Sequence, residues 1–562
     1  MLDGGSRTPV PARGGRGGRV RLRRLAARPE RRSGRAGFRV PPHAGQRGAD
    51  GAGGTPPALL QAALFALAVA LAGFTILEGI APHDEGLMLQ AGARIASGQW
   101  PYQDFWMNYP PGQPLVLALL QRAFGPSLLS WRILLLAVDG LVSVLAWRLA
   151  RRRAGEIWAL AAWLAVAGAM AYPALPGPNP LALAFGLGAL LAARERPALG
   201  GVLAGLACLL RIEFGLATII AVALTAPPGR RLRSAAWGTG VAILAFAPFV
   251  AVAPHALWAD TFGFYGIQSL QRLPFPLSFS GPLRPSKLIE FYIPLILVAG
   301  VAVWAAAMAT TIRSEPPNAA VSLRGGLAAR TRLRGPGREA WSLVPLAVIG
   351  LGYLLGRTDE FHLVPLAVVL PVMLAWAGAA ARGRPVQIAV AVALGLICVH
   401  GLERRAGQAL HPPAGAAVPG PAGDGVSTDP ADAAALRALR AELGRLTRPG
   451  EPIFVANPRF DVVTAGDPLL YVITGHPNPT RYDVMQPGVV TTAPVQREII
   501  RELAGTRVVI RWLDPRATLR QADGAAHSSG VHLLDRWLAA HFRPVARYGV
   551  YGVLVRDRSP RG

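Results

Sequence analysis

Three carboxylates lie close behind the first long apolar stretch of this chain. Asp84 and Glu85 follow the segment Pro57 to Ile80 directly, and Asp104 comes next among aromatic residues, ahead of Tyr109-Pro110-Pro111-Gly112. Carboxylates that near to lipid are costly unless they are solvated or used. One of them at a membrane-facing cavity is enough to take the proton of an attacking hydroxyl as a general base. A neighbour can orient that hydroxyl or hold a divalent cation. The plainer alternative is an acidic helix start, with Asp84 or Glu85 complementing the helix dipole. If a cation is held at all, Asp84 or Asp104 would hold it; no H-x-x-H or C-x-x-C pattern accompanies them.

Two other clusters offer positive charge. Arg211-Ile212-Glu213 interrupts an apolar run, and an arginine fork there can meet a phosphate bidentately and stabilise charge on a phosphate leaving group. The alternative is an internal Arg211–Glu213 pair that only stiffens the break. Arg357-Thr358-Asp359-Glu360-Phe361-His362 ends a later apolar run, where Arg357 and His362 contact phosphate or sugar or merely cap a span. Tyr102 and Tyr109 belong with these as substrate-site aromatics. The stretch Gly475 to Asp483 is rich in turn formers: it faces the active-site cavity or, on the plainer and preferred reading, is a surface loop shaped by Pro477 and Pro479.

The elements that must position these residues are membrane helices. Of 562 residues, 52% are hydrophobic and only 16% charged, and several runs reach about 20 apolar residues, enough to span a bilayer core. The runs are too long and too rich in Leu and Ala for barrel strands, so helices are expected. The net charge of +26 is almost all arginine, Lys287 being the single lysine. It falls in the N-terminal stretch and in short loops, as cytoplasmic loops of membrane proteins require, so no nucleic-acid partner is expected. Cys208 and Cys398 lie inside apolar runs and read as core residues, not a disulfide.

In order, residues 1–56 read as a disordered basic cytoplasmic tail, not the start of a cleaved signal peptide. Residues 57–402 form a helix bundle whose first external loop spans 81–127. In that loop Glu85 to Ala96 and Pro114 to Phe124 read as short helices in the interface plane. Gly200 to Ala226 is bracketed by basic loops and, at about 27 residues, is too short for two full spans. It reads as a hairpin of short helices with its tip at Arg211 to Gly215. Tyr172 to Asn179 is a tight outer loop, Pro254 to Lys287 a second external loop, and Arg313 to Arg338 a basic cytoplasmic one. The total is about eleven segments crossing the cytoplasmic (inner) membrane, with the N-terminus in the cytoplasm and the C-terminus outside. Residues 403–429 are a linker. Residues 430–562 are an extracytoplasmic α/β domain, with helices over Asp432 to Leu446 (capped by Asp429, ahead of the other candidate Asp432), Val495 to Leu503 and Val531 to Phe542, and strands over Ile453 to Ala456, Arg507 to Leu513 and Val545 to Val555.

The run H-D-E-G-L-M-L-Q-A-G-A-R-I-A-S-G-Q-W-P-Y-Q-D-F from His83, followed by Y-P-P-G-Q-P from Tyr109 and F-G-P-S-L-L-S-W-R from Phe124, resembles bacterial family 39 glycosyltransferases. These are relatives of protein O-mannosyltransferases and of the lipid A aminoarabinose transferase. The resemblance is close over Pro82 to Arg153 and looser through Leu402. It implies a mainly α, GT-C type bundle with a catalytic first external loop and a polyprenyl-phosphate sugar donor. The acceptor would be a glycan, lipid or protein on the extracytoplasmic side. It maps the general base onto Asp84 and a second loop acid onto Asp104, with Glu85 beside the base. Asn108-Tyr109 stands where some relatives carry a lysine before the loop's prolines. R-x-D-x-x-H-L stretches like that from Arg357 occur in the same subgroup. The competing class is a transporter or flippase for lipid-linked sugars, without chemistry; against it, the second half does not repeat the first, and the acids sit at one face, not midway.

Overall fold

The structure is a computed structural model, and it describes residues 58–170, 179–267, 292–301, 341–358, 360–381, 383–412, 414–518 and 527–557. The basic tail 1–56, nearly all of the loop Tyr172 to Asn179, most of the second external loop beyond residue 267, and the basic loop Arg313 to Arg338 lie outside these.

The chain is mostly helical, with a small sheet at its C-terminal end. Helices α1 (Ala58–Gly73), α4 (Leu128–Arg151), α5 (Glu156–Met170), α6 (Asn179–Ala192), α7 (Pro197–Leu210), α8 (Ile212–Thr225), α9 (Arg231–Val252), α10 (Val344–Gly356), α11 (Glu360–Ala380) and α12 (Arg384–Leu410) make the bundle. Between α1 and α4 come α2 (Asp84–Ala96) and α3 (Gly112–Phe124), the two short loop helices. Among the described residues four helical stretches are long and apolar enough to cross a membrane: Leu128–Arg151, Pro228–Val252, Phe361–Ala380 and Arg384–Leu410. Six shorter apolar helices accompany them.

Small residues set the bundle's closest approaches. A Cβ on Gly201 would overlap the Ser234 carbonyl, and one on Gly238 would overlap Ile219, so α7, α8 and α9 pack through the same point. A Cβ on Gly215 would overlap Cys208, which folds α8 back on α7. This is the expected hairpin. Its hinge is a single residue, Arg211, in extended geometry (φ −149°, ψ 111°) between two helices of 14 residues each.

After the bundle the structure departs from the expected linker. Helix α12 runs on to Leu410, past the expected end at Leu402, and Arg405 is buried with its guanidinium 2.5 Å from the Thr75 hydroxyl at the end of α1. Then a two-stranded ribbon, β1 (Ala416–Ala417) with β2 (Ser427–Thr428), ties back to the first span: Ser427 N–H donates to the Leu77 carbonyl at 2.7 Å. Proline and glycine in this stretch therefore mark tight turns rather than a slack tether.

The C-terminal domain contains α13 (Pro430–Leu446), α14 (Leu469–Thr474), α15 (Ala493–Glu502) and α16 (Leu533–His541) around a sheet of order β3-β4-β6-β5. Strand β3 (Phe454–Ala456) lies parallel to β4 (Val508–Trp512); β6 (Tyr551–Arg556) and β5 (Phe542–Tyr548) are antiparallel. Asp429 caps α13 by accepting the Ala431 N–H at 2.8 Å, and Pro430 occupies the first turn, as its fixed φ favours. The single strand expected over Val545 to Val555 is instead a hairpin turning at Gly549, whose φ of +54° bends the chain between Tyr548 and Tyr551.

The loop between α1 and α4 and the C-terminal domain share one hydrophobic core. Leu87, Met88, Leu89 and Leu117 of α2 and α3 belong to the same buried cluster as Leu436, Phe454, Leu470, Val509 and Trp512. The domain is thus built onto the loop that carries the acids.

Candidate functional site

The three loop acids have three different surroundings. Asp84 is the first residue of α2, exposed, and among the described residues its carboxylate has no hydrogen-bond or ion-pair partner. Glu85, the next residue, is fully buried. The Arg132 guanidinium grips it through two parallel bonds, Nε to Oε1 and Nη2 to Oε2, both 2.9 Å. Arg132 also donates to the carbonyls of Ile76 at 2.8 Å and Gly79 at 2.7 Å, so one buried arginine closes the exit of α1 onto the start of α2. Asp104 is exposed, but its carboxylate accepts the Trp100 N–H at 2.6 Å and closes a turn.

That turn presents Tyr102 in an unusual state. Its φ is +70°, in the left-handed region that a residue with a bulky side chain rarely adopts, and the side chain is wholly buried. The Tyr102 hydroxyl donates to the Tyr109 carbonyl at 2.8 Å.

Tyr109 leads to the hairpin tip. A Cβ on Gly112, three residues on, would crowd the Leu209 carbonyl at the end of α7. Arg211 is buried there, ion-paired with Glu213, its guanidinium 4.6 Å from the Tyr353 ring centre and 5.7 Å from that of Tyr109. The Tyr353 ring lies 4.2 Å from His362, and the Arg357 N–H donates to the Tyr353 carbonyl at 3.4 Å. Arg211, Glu213, Tyr109, Tyr102, His362 and Arg357 thus form one connected group. Among the described residues Asp84 and Asp104 do not join it, and Glu85 is engaged with Arg132.

Sequence reasoning missed the residues that join this loop to the C-terminal domain. The stretch Gly475 to Asp483, read as a surface loop, is largely buried against α2. Arg94 pairs with Asp483 at 2.6 Å, and its Nη2 donates to the Thr480 carbonyl. Gln90 and Asn478 donate to the same Asp483 carboxylate at 3.2 and 2.8 Å. Nearby, Arg481 donates to the Tyr102 carbonyl at 3.0 Å and faces Asp260 at 4.0 Å and Glu498 at 3.8 Å. Asp260 sits in a π-helical segment, Trp258–Gly263, that follows α9. One signal for the contact was an arginine inside an apolar helix pattern: Arg94 falls on a face with Leu87 and Ala91.

Burial sets the acid–base behaviour of two carboxyls outside the bundle. Asp260 is pushed up to about 7 by desolvation, which the facing Arg481 and the Met107 N–H only partly offset. Asp467 is also pushed up to about 7 by burial, despite hydrogen bonds from Tyr551 and the Leu470 N–H. In the native state each keeps its proton to about pH 7, whereas the unfolded chain releases it near 4. The native state therefore binds more protons across that window. Stability should fall as pH rises through it, by at most about 1.4 kcal/mol per pH unit for each group, and level off above 7. Melting of the detergent-solubilised protein at pH 5.5 and 7.5 checks this. The wild type should melt lower at pH 7.5, and the Asp260→Asn/Asp467→Asn variant should lose most of the difference; an unchanged difference would assign it elsewhere.

For a divalent cation the loop acids do not converge: neither Asp84 nor Asp104 belongs to a cluster of ligating side chains among the described residues. The cluster that does occur there, Asp461, His532 and Asp535, lies in the C-terminal domain, where Arg459 already holds both Asp461 oxygens at 2.9 and 2.5 Å.

No protein-family model matches the chain, and no curated protein matches it. Among solved structures it is similar to the archaeal oligosaccharyltransferase AglB from Archaeoglobus fulgidus, in complex with an inhibitory peptide and a dolichol-phosphate. The identity is 11% and the TM-score 0.48, over 89% of this chain and 74% of that one. At that distance no residue role or substrate passes from one chain to the other.

Proposed function

We propose that this protein is an integral-membrane glycosyltransferase moving one sugar from a polyprenyl-phosphate donor to a hydroxyl of an extracytoplasmic acceptor. The observation that carries the reading is the division of labour in the first external loop. Glu85 is consumed by Arg132 and Asp104 by its own turn, while Asp84 is left exposed, and unpartnered among the described residues, on a helix start that the Glu85–Arg132 contact ties to the exit of α1.

In this reading Asp84 accepts the proton of the acceptor hydroxyl as its oxygen attacks the anomeric carbon. The new C–O bond forms as the bond from that carbon to the phosphate oxygen breaks. The polyprenyl phosphate leaves with the bonding pair, and Arg211 supplies the charge that stabilises it. Tyr109 and Tyr353 shield the guanidinium from water, which strengthens its pull on an anion, and Glu213 holds it in place until the anion arrives. Arg357 and His362 flank the same group on the donor side. Asp104 and Glu85 act on the shape of the loop instead of on the acceptor.

Reconstituted protein offered a panel of radiolabelled polyprenyl-phosphate sugars, with membrane extract as acceptor, tests the proposal. Label should move from carrier to acceptor with the wild type. Arg211→Ala should weaken apparent donor affinity roughly 10- to 100-fold, the loss expected for hydrogen bonds to a charged group. Donor binding without turnover of any sugar would favour a flippase or transporter instead.

A further inference from the structure

We propose that Arg481 of the C-terminal domain is a positioning residue for the donor-phosphate group, acting on Arg211 through the strained backbone at Tyr102. The proposal deepens the reading above and rests on it for the identity of the ligand.

Tyr102 is held at φ +70° with a buried aromatic side chain, a conformation that persists only where its surroundings over-determine it. Three contacts do so. Its N–H donates to the Phe105 carbonyl at 2.9 Å, its carbonyl accepts from Arg481 Nη2 at 3.0 Å, and its hydroxyl donates to the Tyr109 carbonyl at 2.8 Å. The first is local to the turn. The second comes from a residue 379 positions away in another domain. The backbone of Arg481 joins in as well: its carbonyl accepts the Trp106 N–H at 2.8 Å, so one residue clamps the turn at both Tyr102 and Trp106.

Arg481 is itself placed from several sides. Its N–H donates to Glu502 at 3.3 Å, and its guanidinium faces Asp260 at 4.0 Å and Glu498 at 3.8 Å. Asp260 brings the second external loop to the same point. Beyond Tyr102 the connection continues through the Tyr109 carbonyl to the Tyr109 ring beside Arg211. The C-terminal domain thereby reaches the candidate phosphate group by a path of direct contacts, Arg481 to Tyr102 to Tyr109 to Arg211. The guanidinium fork donates to one carbonyl while facing the side chains of Asp260 and Glu498, a spread that a lysine's single ammonium covers less well.

The test uses full-length protein in lipid nanodiscs, with hydrogen exchange, melting, and binding of a C55 polyprenyl monophosphate carrying no sugar. Arg481→Ala should raise exchange at residues 102–109 and at the hairpin tip 209–214, while the sheet residues 508–512 keep wild-type protection. Binding of the lipid phosphate should weaken about tenfold, with Arg481→Lys in between. Tyr102→Phe keeps Arg481 but removes the bond to Tyr109, so it should loosen the hairpin tip alone; it also serves if Arg481→Ala does not fold. Exchange that rises only within the C-terminal domain, or a loop that loosens while tip and binding stay unchanged, overturns the proposal. If loop and tip loosen as stated but the wild type binds no polyprenyl phosphate, the positioning stands and the phosphate reading of Arg211 falls.

Discussion

Asp84→Asn is expected to abolish transfer while leaving the amount of folded protein in the membrane unchanged. The amide is isosteric but cannot accept the acceptor's proton at neutral pH, and loss of a general base costs about 10²- to 10⁴-fold in rate. Folding should not notice the change, because the Asp84 carboxylate is exposed and makes no ion pair or hydrogen bond among the described residues. Turnover of the labelled donor beside quantitative immunoblotting and melting separates the two effects. Glu85→Gln is the control with the opposite signature: its carboxylate is buried against Arg132, so it should lose melting temperature first and activity only in proportion to the folded fraction. If Asp84→Asn turned over donor at even a tenth of the wild-type rate, Asp84 would not be the base.

The contrast between neighbouring acids shows where the sequence stopped being legible. Asp84 and Glu85 share a helix start and a residue class. What divides them is Arg132, 47 residues beyond Glu85, whose approach depends on how α4 packs against the exit of α1. The hairpin broken at Arg211 could be read directly, because apolar length against basic flanks is a local pattern that bilayer thickness translates into geometry. The cap at Asp429 was local too. The docking of the C-terminal domain was not. Gly475 to Asp483 carries the residues of a surface turn, and its burial comes from Arg94, 389 positions before Asp483. The short helix Leu469–Thr474 went unread because six residues carry no period, yet its first backbone nitrogen donates to the Pro82 carbonyl at 3.2 Å and leaves room for nothing larger than Gly86. The hydroxyl path from Tyr102 to Tyr109 is similarly invisible, since it follows from one backbone angle.

Arg132→Ala is expected to be the most destabilising single substitution where α4 meets the exit of α1 and the start of α2. Both partners of the Arg132–Glu85 pair are fully buried, so the alanine leaves a carboxylate with no counter-charge in a dry site. Breaking a buried pair from one side costs about 3–5 kcal/mol, a large share of a typical net stability of about 5–15 kcal/mol. The carbonyls of Ile76 and Gly79 lose their donor in the same step. Monodisperse yield after solubilisation should fall several-fold, and whatever survives should melt roughly 5 °C or more below the wild type. The double variant Arg132→Met/Glu85→Gln decides the cause. With no charge left to strand, it should recover a substantial part of the loss, because replacing a whole buried pair costs far less than halving it. Recovery of melting with Asp84 untouched should also restore turnover. A double variant no better than Arg132→Ala would mean that the carbonyl contacts at the exit of α1, and not the charge of Glu85, are what Arg132 is there to satisfy.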